Sequence, residues 1–430
     1  MTMNKNIKFT LICLLLAAFT VVAAGCGKAA NNESSSGNGG KASGDGVVKI
    51  EFFQQQGEEA IQNAYKAVIE DFSKEYPNIK IEMNTVPDSV KVLTARVASG
   101  DIPPLFTDWP TQLQFKEKVK NGYIEKLSGQ PFIEKVNKSY LAMTPADDGE
   151  YYSLPYARNY MAVYYNIDLF EKNNVAIPTT YAEFIEACKK FAASGVTPLY
   201  LPIKDVGHIF QATNIAYVPG GVEEMVKVAK GEAQVENNPA FLAFGNKLNE
   251  LFTYANKDAA GASTAMMQEA FANGQVAMII SGSYGRGNIK LANPDLKFGA
   301  FPLPNDTVET TNVLSGVNAA LSVSAKAKPE EKEAAITFIS YLARPEVAQK
   351  WSDLSGEPSI IEGTVYEDAN LKPLLDFIDK GQVHDWMAST IPSNIVTELY
   401  STTQAFLLEK QSVEKYLKNI DATIKLNAAN

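Results

Sequence analysis

A chain of 430 residues with formal charge −10, from 49 acids against 39 Lys and Arg, has the wrong sign for a nucleic-acid or anionic-membrane surface. Its two histidines, His208 and His384, allow no zinc-type spacing, and its three cysteines, Cys13, Cys26 and Cys188, give no disulfide framework. Length beyond the polar N-terminal segment, about 385 residues, exceeds one compact core and suits two domains.

The first segment reads as an export signal: Lys5 and Lys8, an apolar run from Phe9 to Ala24, then small residues. The run is too short for a membrane-spanning helix. Its ending, "VVAAGCG", resembles the lipobox of bacterial lipoproteins, in which Cys26 would carry a diacylglycerol and become the first mature residue, residues 1–25 being removed. The alternatives are an ordinary signal peptide or an uncleaved anchor. Loss of Lys5 and Lys8 makes the mature chain two units more negative. Residues 26–46, rich in Gly, Ser and Asn, form a flexible tether that cannot repay the entropy of ordering.

After the tether, "VVKIEFFQQQ" predicts a first strand. Ile61, Tyr65, Val68 and Phe72 share one face of a helix over 58–76, which Pro77 ends. Ile79, Ile81 and Met83 alternate as a strand, and "PDSVKVLTARVASG" predicts a helix with Val90, Leu93 and Val97 inward and Gly100 as its stop. This alternation argues for an α/β domain with a largely parallel sheet, whose ligands bind beyond the carboxyl ends of the strands. That rule selects the loop around Asp108 and Trp109. Phe184, Cys188 and Phe191 share a helical face, so Cys188 reads as a buried small hydrophobe. Further on, an apolar strand over 276–280 follows the helix stop Gly274 and leads to Tyr284 and Arg286 in a Gly-rich loop. Pro329 opens a helix with Ala335, Phe338 and Leu342 on one face.

"MAVYYNIDLFEKNNVAIPTTYAEF", "AFANGQVAMIISGSYG", "FPLPND", "VLSGVNAALSVSAKAKPEEKEAAITFISYLARPEVAQKW" and "SGEPS", in this order, resemble the extracellular solute-binding proteins of bacterial carbohydrate ABC transporters, the family that includes the maltose-binding proteins. The resemblance implies the two-lobed α/β fold of type II periplasmic binding proteins, with a ligand cleft that closes about a hinge. By that analogy one lobe takes 47–155 plus 317–360, and the other 156–316 plus 361–430 with the C-terminal helices. It also implies a monomer on the extracytoplasmic face of the membrane, held there by its lipid anchor. Such a protein hands a sugar or oligosaccharide to ABC permease subunits and meets the ATPase only indirectly.

A sugar needs aromatic planes for its C–H face and fixed polar forks for its hydroxyls. Trp109 and Tyr284 suit the first need, or they pack a lobe edge; the family has an aromatic, commonly Trp, at the position of Tyr284. Trp386 belongs to the cleft or the core, and Trp351 to the core. Arg158 and Arg286 both occur as Tyr-x-Arg, with Tyr156 and Tyr284. They are either surface ion pairs or forks for an acidic sugar such as a uronate-containing oligosaccharide. Asp108 offers an acceptor or a helix cap, and Glu58 an acid at the start of the first helix. Asp205, His208, Asn318 and Glu357 stand at positions where the resemblance implies cleft residues. No cofactor or metal is implied. A glycosidase would need two suitably spaced carboxyl groups, but no motif for a nucleophile, metal or phosphate is recognisable: "SGSYGRG" lacks the Gly-Lys-Ser/Thr ending of a phosphate loop. A binder of some other solute and a surface polysaccharide adhesin are the alternatives.

Overall fold

The computed structural model describes residues 46–366 and 368–428. The expected export signal, Cys26 and nearly all of the tether lie outside the described residues. Eleven strands among those described form two sheets: β1 (Val48–Phe53), β2 (Ile79–Asn84), β3 (Leu105–Asp108), β4 (Leu154–Pro155), β5 (Arg158–Asn166), β6 (Thr197–Tyr200), β7 (Val276–Gly282), β8 (Phe298–Phe301), β9 (Val313–Val317), β10 (Ala320–Val323) and β11 (Val383–His384).

In the first sheet, ordered β2-β1-β3-β10-β4, neighbouring side chains divide between two layers of helices. Phe52 packs edge-on to Tyr65 and against Phe338, from helices Glu59–Glu75 and Pro329–Leu342. Phe53 faces the other way, into a cluster with Leu93, Val97, Phe106 and Phe115. The four apolar residues of the first helix, Ile61, Tyr65, Val68 and Phe72, are all buried, as are Ala335, Phe338 and Leu342. Trp351 is core, packed on Tyr65 and Tyr156. Cys188, a free thiol, is buried on helix Tyr181–Ala193, which packs on β6 of the other sheet, and desolvation pushes its pKa up to about 12.

The second sheet is ordered β11-β9-β5-β7-β6, with β8 also on β5. Here too alternate residues of β5 separate, with Met161, Val163 and Tyr165 in the large core and Tyr160, Ala162 and Tyr164 in a smaller one.

Two expectations need correction. Parallel pairing holds for β2-β1-β3, but β10 runs antiparallel to β3 and β4, and β5 runs antiparallel to β7, β8 and β9. The reason is the crossings: β9 and β10 belong to different sheets with only Asn318 and Ala319 between them, and β4 and β5 with only Tyr156 and Ala157. A strand entering straight from the other sheet has no helical return to turn it parallel. The second correction is Val90, which is 44% exposed at the start of helix Ser89–Ser99 while Leu93 and Val97 are buried.

Candidate functional site

Beyond the carboxyl end of β3, the chain turns at Trp109, as the rule for parallel strands predicts. Trp109 forms one wall of a half-open cavity of about 220 Å³ shared with Gln112, Asn159, His208, Gln211, Tyr284, Trp386 and Tyr400, with Val90 at its lip. These residues come from the turn after β3, from β5, from helices Gly207–Tyr217, Tyr284–Ala292 and Ser393–Leu408, and from the segment at Trp386. Val90 also lines a larger opening of about 970 Å³ between helix Ser89–Ser99 and helix Ser393–Leu408, where Gln114 donates to Ser393 across the mouth. A small aromatic chamber and a wide, more apolar vestibule thus adjoin at Val90.

Each tryptophan is held by the aspartate before it. The Trp109 N–H donates to Asp108 Oδ1 at 2.9 Å, and the Trp386 N–H to Asp385 Oδ1 at 2.7 Å. The other oxygen of each acid is also used: Asp108 Oδ2 accepts from Lys118 Nζ at 2.6 Å, and Asp385 Oδ2 from Ser389 Oγ at 2.7 Å. Trp386 Nε1 donates to Asn159 Oδ1 at 3.0 Å, and its ring lies edge-on to His208. The Tyr284 hydroxyl and His208 Nδ1 share a 2.6 Å hydrogen bond. Gln211 accepts from the Met387 N–H and donates to the Tyr400 hydroxyl. Gly207 makes room for that tyrosine, since a Cβ there would lie 2.6 Å from the Tyr400 ring.

The chamber is electrically neutral. Burial pushes His208 down to about 4, and desolvation raises the Tyr284 and Tyr400 hydroxyls, so all three stay uncharged at pH 7. Aromatic planes with amide and hydroxyl groups at their edges, and no formal charge, make a surface for an uncharged ligand with alternating C–H faces and hydroxyls.

The pattern of the bacterial extracellular solute-binding proteins matches residues 67–375. The chain belongs to that family. This binding protein is 28% identical over 404 residues to the Multiple sugar-binding protein of Streptococcus mutans, covering 91% of this chain and 92% of that one. Its fold matches the solute-binding protein RafE in complex with raffinose at TM-score 0.80 and 25% identity, over 88% of this chain and 99% of the other. Against apo RafE from Streptococcus pneumoniae the TM-score is 0.71 at 26% identity, over 88% and 98%. The fold is therefore that of the two-lobed solute-binding proteins, and the family places the binding protein outside the cytoplasm.

Trp109, Tyr284, His208 and Trp386 meet in the chamber, although Tyr284 begins helix Tyr284–Ala292 instead of sitting in a loop. The two arginines do not reach it. In β5, side chains alternate, so Asn159 faces the chamber and Arg158 faces a separate cavity of about 760 Å³, where it bonds Tyr140 and Asp379. On a helix, residues two apart point to nearly opposite sides, so Arg286 turns from Tyr284 toward Asp368 and the Tyr366 ring. Tyr156 is core: its hydroxyl donates to the Leu342 carbonyl. Asp108 has both oxygens engaged by the protein and caps no helix. Asp205 is exposed and accepts the Thr264 N–H at the start of another helix.

Asn318, Glu357 and Glu58 do not line the chamber: Asn318 sits on the crossing between β9 and β10 and bonds the buried Glu357, and Glu58 precedes helix Glu59–Glu75. Asn159, Gln211, Gln112 and Tyr400 are the wall residues that sequence reasoning missed. For Asn159 the signal was its alternation with Arg158, and the two Asp-Trp dipeptides marked both tryptophan walls. Tyr400 and Gln211 carry no comparable mark, because long-range packing brings them in.

Proposed function

We propose that this protein captures an uncharged oligosaccharide between its lobes and delivers it, enclosed, to the permease of an ABC importer. The neutral aromatic chamber carries this reading: Trp109, Trp386 and Tyr284 supply planes, and Asn159, Gln211 and His208 supply hydrogen-bonding edges. At about 220 Å³ it lies below the roughly 300–1,000 Å³ of pockets that take drug-sized ligands, so it receives about one sugar ring while the rest of the chain runs into the vestibule. The greater likeness to raffinose-bound than to apo RafE supports reading the arrangement as the closed one. An acidic sugar loses its support, because Arg158 and Arg286 are spent on Asp379 and Asp368.

The lobes comprise 47–155 plus 317–360 and 156–316 plus 361–430, a division supported by the strand membership of the two sheets. The protein works as a monomer, tethered through a lipidated Cys26 and the segment to Gly46. Delivery follows from preferential affinity of ligand for the closed state, which the permease recognises. Thermal-shift and calorimetric titration with raffinose, stachyose, maltose and a galacturonate trisaccharide tests the reading. Expected is a shift of several degrees with one or more neutral oligosaccharides and none with the uronate. Tight uronate binding overturns the neutral-cargo reading, and sugar turnover overturns the binding-protein reading. Retention on immobilised polysaccharide without ligand-driven compaction favours an adhesin.

A further inference from the structure

Helix Glu59–Glu75 is not capped by its own N-cap residue. Glu58 is extended, as a capping residue should be, but among the described residues its side chain accepts no N–H of the first turn. The opening amides of a helix have no acceptor within it, so each needs one from elsewhere. The Ala60 N–H finds its acceptor 228 residues further along the chain, in Asn288 Oδ1 at 3.0 Å. Asn288 belongs to helix Tyr284–Ala292, which the proposed division places in the other lobe.

The bond is aimed. An N–H can only donate, so it selects the Oδ1 end of the amide, and Nδ2 is left to donate to Gln268 Oε1 at 3.0 Å. Gln268 is itself buried on helix Thr264–Ala272, so it holds the Asn288 amide in that orientation. Beside Asn288, Gly287 lets the helices touch, since a Cβ there would stand 2.5 Å from Ala60 Cβ. Residues four apart share a helix face, so Asn288 lies one turn beyond Tyr284 on the same side. Tyr284 is the chamber wall, bonded to His208. One helix face thus carries the wall at its first residue and, a turn later, the acceptor for the opposite lobe.

We propose that Asn288 is a positioning residue for the sugar site: it caps helix Glu59–Glu75 from across the cleft, and the cap forms only as the lobes close on a ligand packed against Tyr284. The proposal rests on reading the chamber as a sugar site enclosed by two lobes. When the lobes part, the Ala60 N–H passes to water and the helix loses its cap; when they close, it is regained. Such a bond favours the closed state without touching the sugar, and a difference between states is all that closure requires.

Raffinose titration calorimetry and stopped-flow kinetics on wild type, Asn288→Ala, Glu58→Ser and the double variant test this. Asn288→Ala should bind about tenfold more weakly, the ordinary worth of a cap, with the loss in koff and kon within about twofold. Alanine is a better helix former than asparagine, so the fold is not at risk. In Glu58→Ser the serine caps the helix from its own lobe, open or closed, so adding Asn288→Ala should cost less than about threefold. Hydrogen exchange of the amides at 59–61 should slow on adding raffinose to wild type, and not in Asn288→Ala. Equal affinity of wild type and Asn288→Ala, the same loss in both backgrounds, or exchange equally slow with and without sugar overturns the proposal. Closure without sugar separates it from the cargo reading. With Gln114→Cys joined to Ser393→Cys by a short bismaleimide, the amides at 59–61 should be protected, and adding Asn288→Ala should remove that protection. If raffinose fails to bind while this difference holds, the cargo reading is wrong and the cap stands; if the difference is absent, the cap is wrong whatever binds.

Discussion

Trp109 and Trp386 are poised before any ligand arrives, because Asp108 and Asp385 fix the backbone at each ring. Pre-set planes lose little side-chain entropy on binding, so truncating them should cost affinity directly. Trp109→Ala and Trp386→Ala are each expected to weaken sugar binding about 10- to 100-fold by calorimetry, with Tm changed by only a few degrees. Arg158→Ala and Arg286→Ala should leave affinity within about twofold, since both guanidinium groups face away from the chamber. His208 brings a pH dependence of its own. Burial depresses it to about 4, against an ordinary value of about 6.5, so between those values the unfolded chain binds a proton that the folded one refuses. Stability then declines as pH falls from about 6.5 to about 4, by up to about 3 kcal/mol, and His208→Gln should flatten that acid limb in thermal melts.

Packing of whole elements decides how closely the lobes approach. Helix Tyr284–Ala292 lies against the start of helix Glu59–Glu75 and the end of helix Pro345–Ser355, with Asn288 accepting the Ala60 N–H at 3.0 Å. Gly287 is the point of contact: a Cβ there would stand 2.2 Å from the Ser355 carbonyl oxygen and 2.5 Å from Ala60 Cβ. Both neighbours are short or backbone, so neither can swing aside. Gly287→Ala should cost about 1–3 kcal/mol in urea unfolding and weaken sugar binding, with near-native far-UV dichroism. The helices themselves were legible because each buries a regular stripe. Strand direction was not, because two-residue crossings between sheets leave no mark in hydrophobic periodicity.

For the whole molecule, the proposed delivery requires opening and closing about those crossings. Gln114 and Ser393 face one another across the mouth, so cysteines there offer a direct handle on the motion. In the body from Gly46, Cys188 is buried with its thiol pushed up to about 12, so it will not compete for a thiol reagent. Joining Gln114→Cys to Ser393→Cys with a short bismaleimide should abolish uptake of added sugar and, if done with sugar present, trap it. Small-angle scattering should show that cross-linking and sugar produce the same compaction of wild type. Equal scattering with and without a bound sugar would overturn closure as the delivery step.

By itself, the sequence determined most of the helices and strands, that Trp351 and Cys188 are core, and that Trp109 and Tyr284 were candidates for one site. Those outcomes follow from local periodicity and from where loops leave parallel strands. Only the tertiary structure decided what shares the chamber with them. The Tyr-x-Arg pairs looked equivalent in sequence, yet one straddles the start of a strand and the other a helix, so pleat alternation and helical rotation turned both arginines away. Glu357 looked like a cleft acid and proved to be buried outside the chamber, because its neighbours Asn318, Ser283 and Glu58 come from three distant stretches of chain that meet only when the lobes pack.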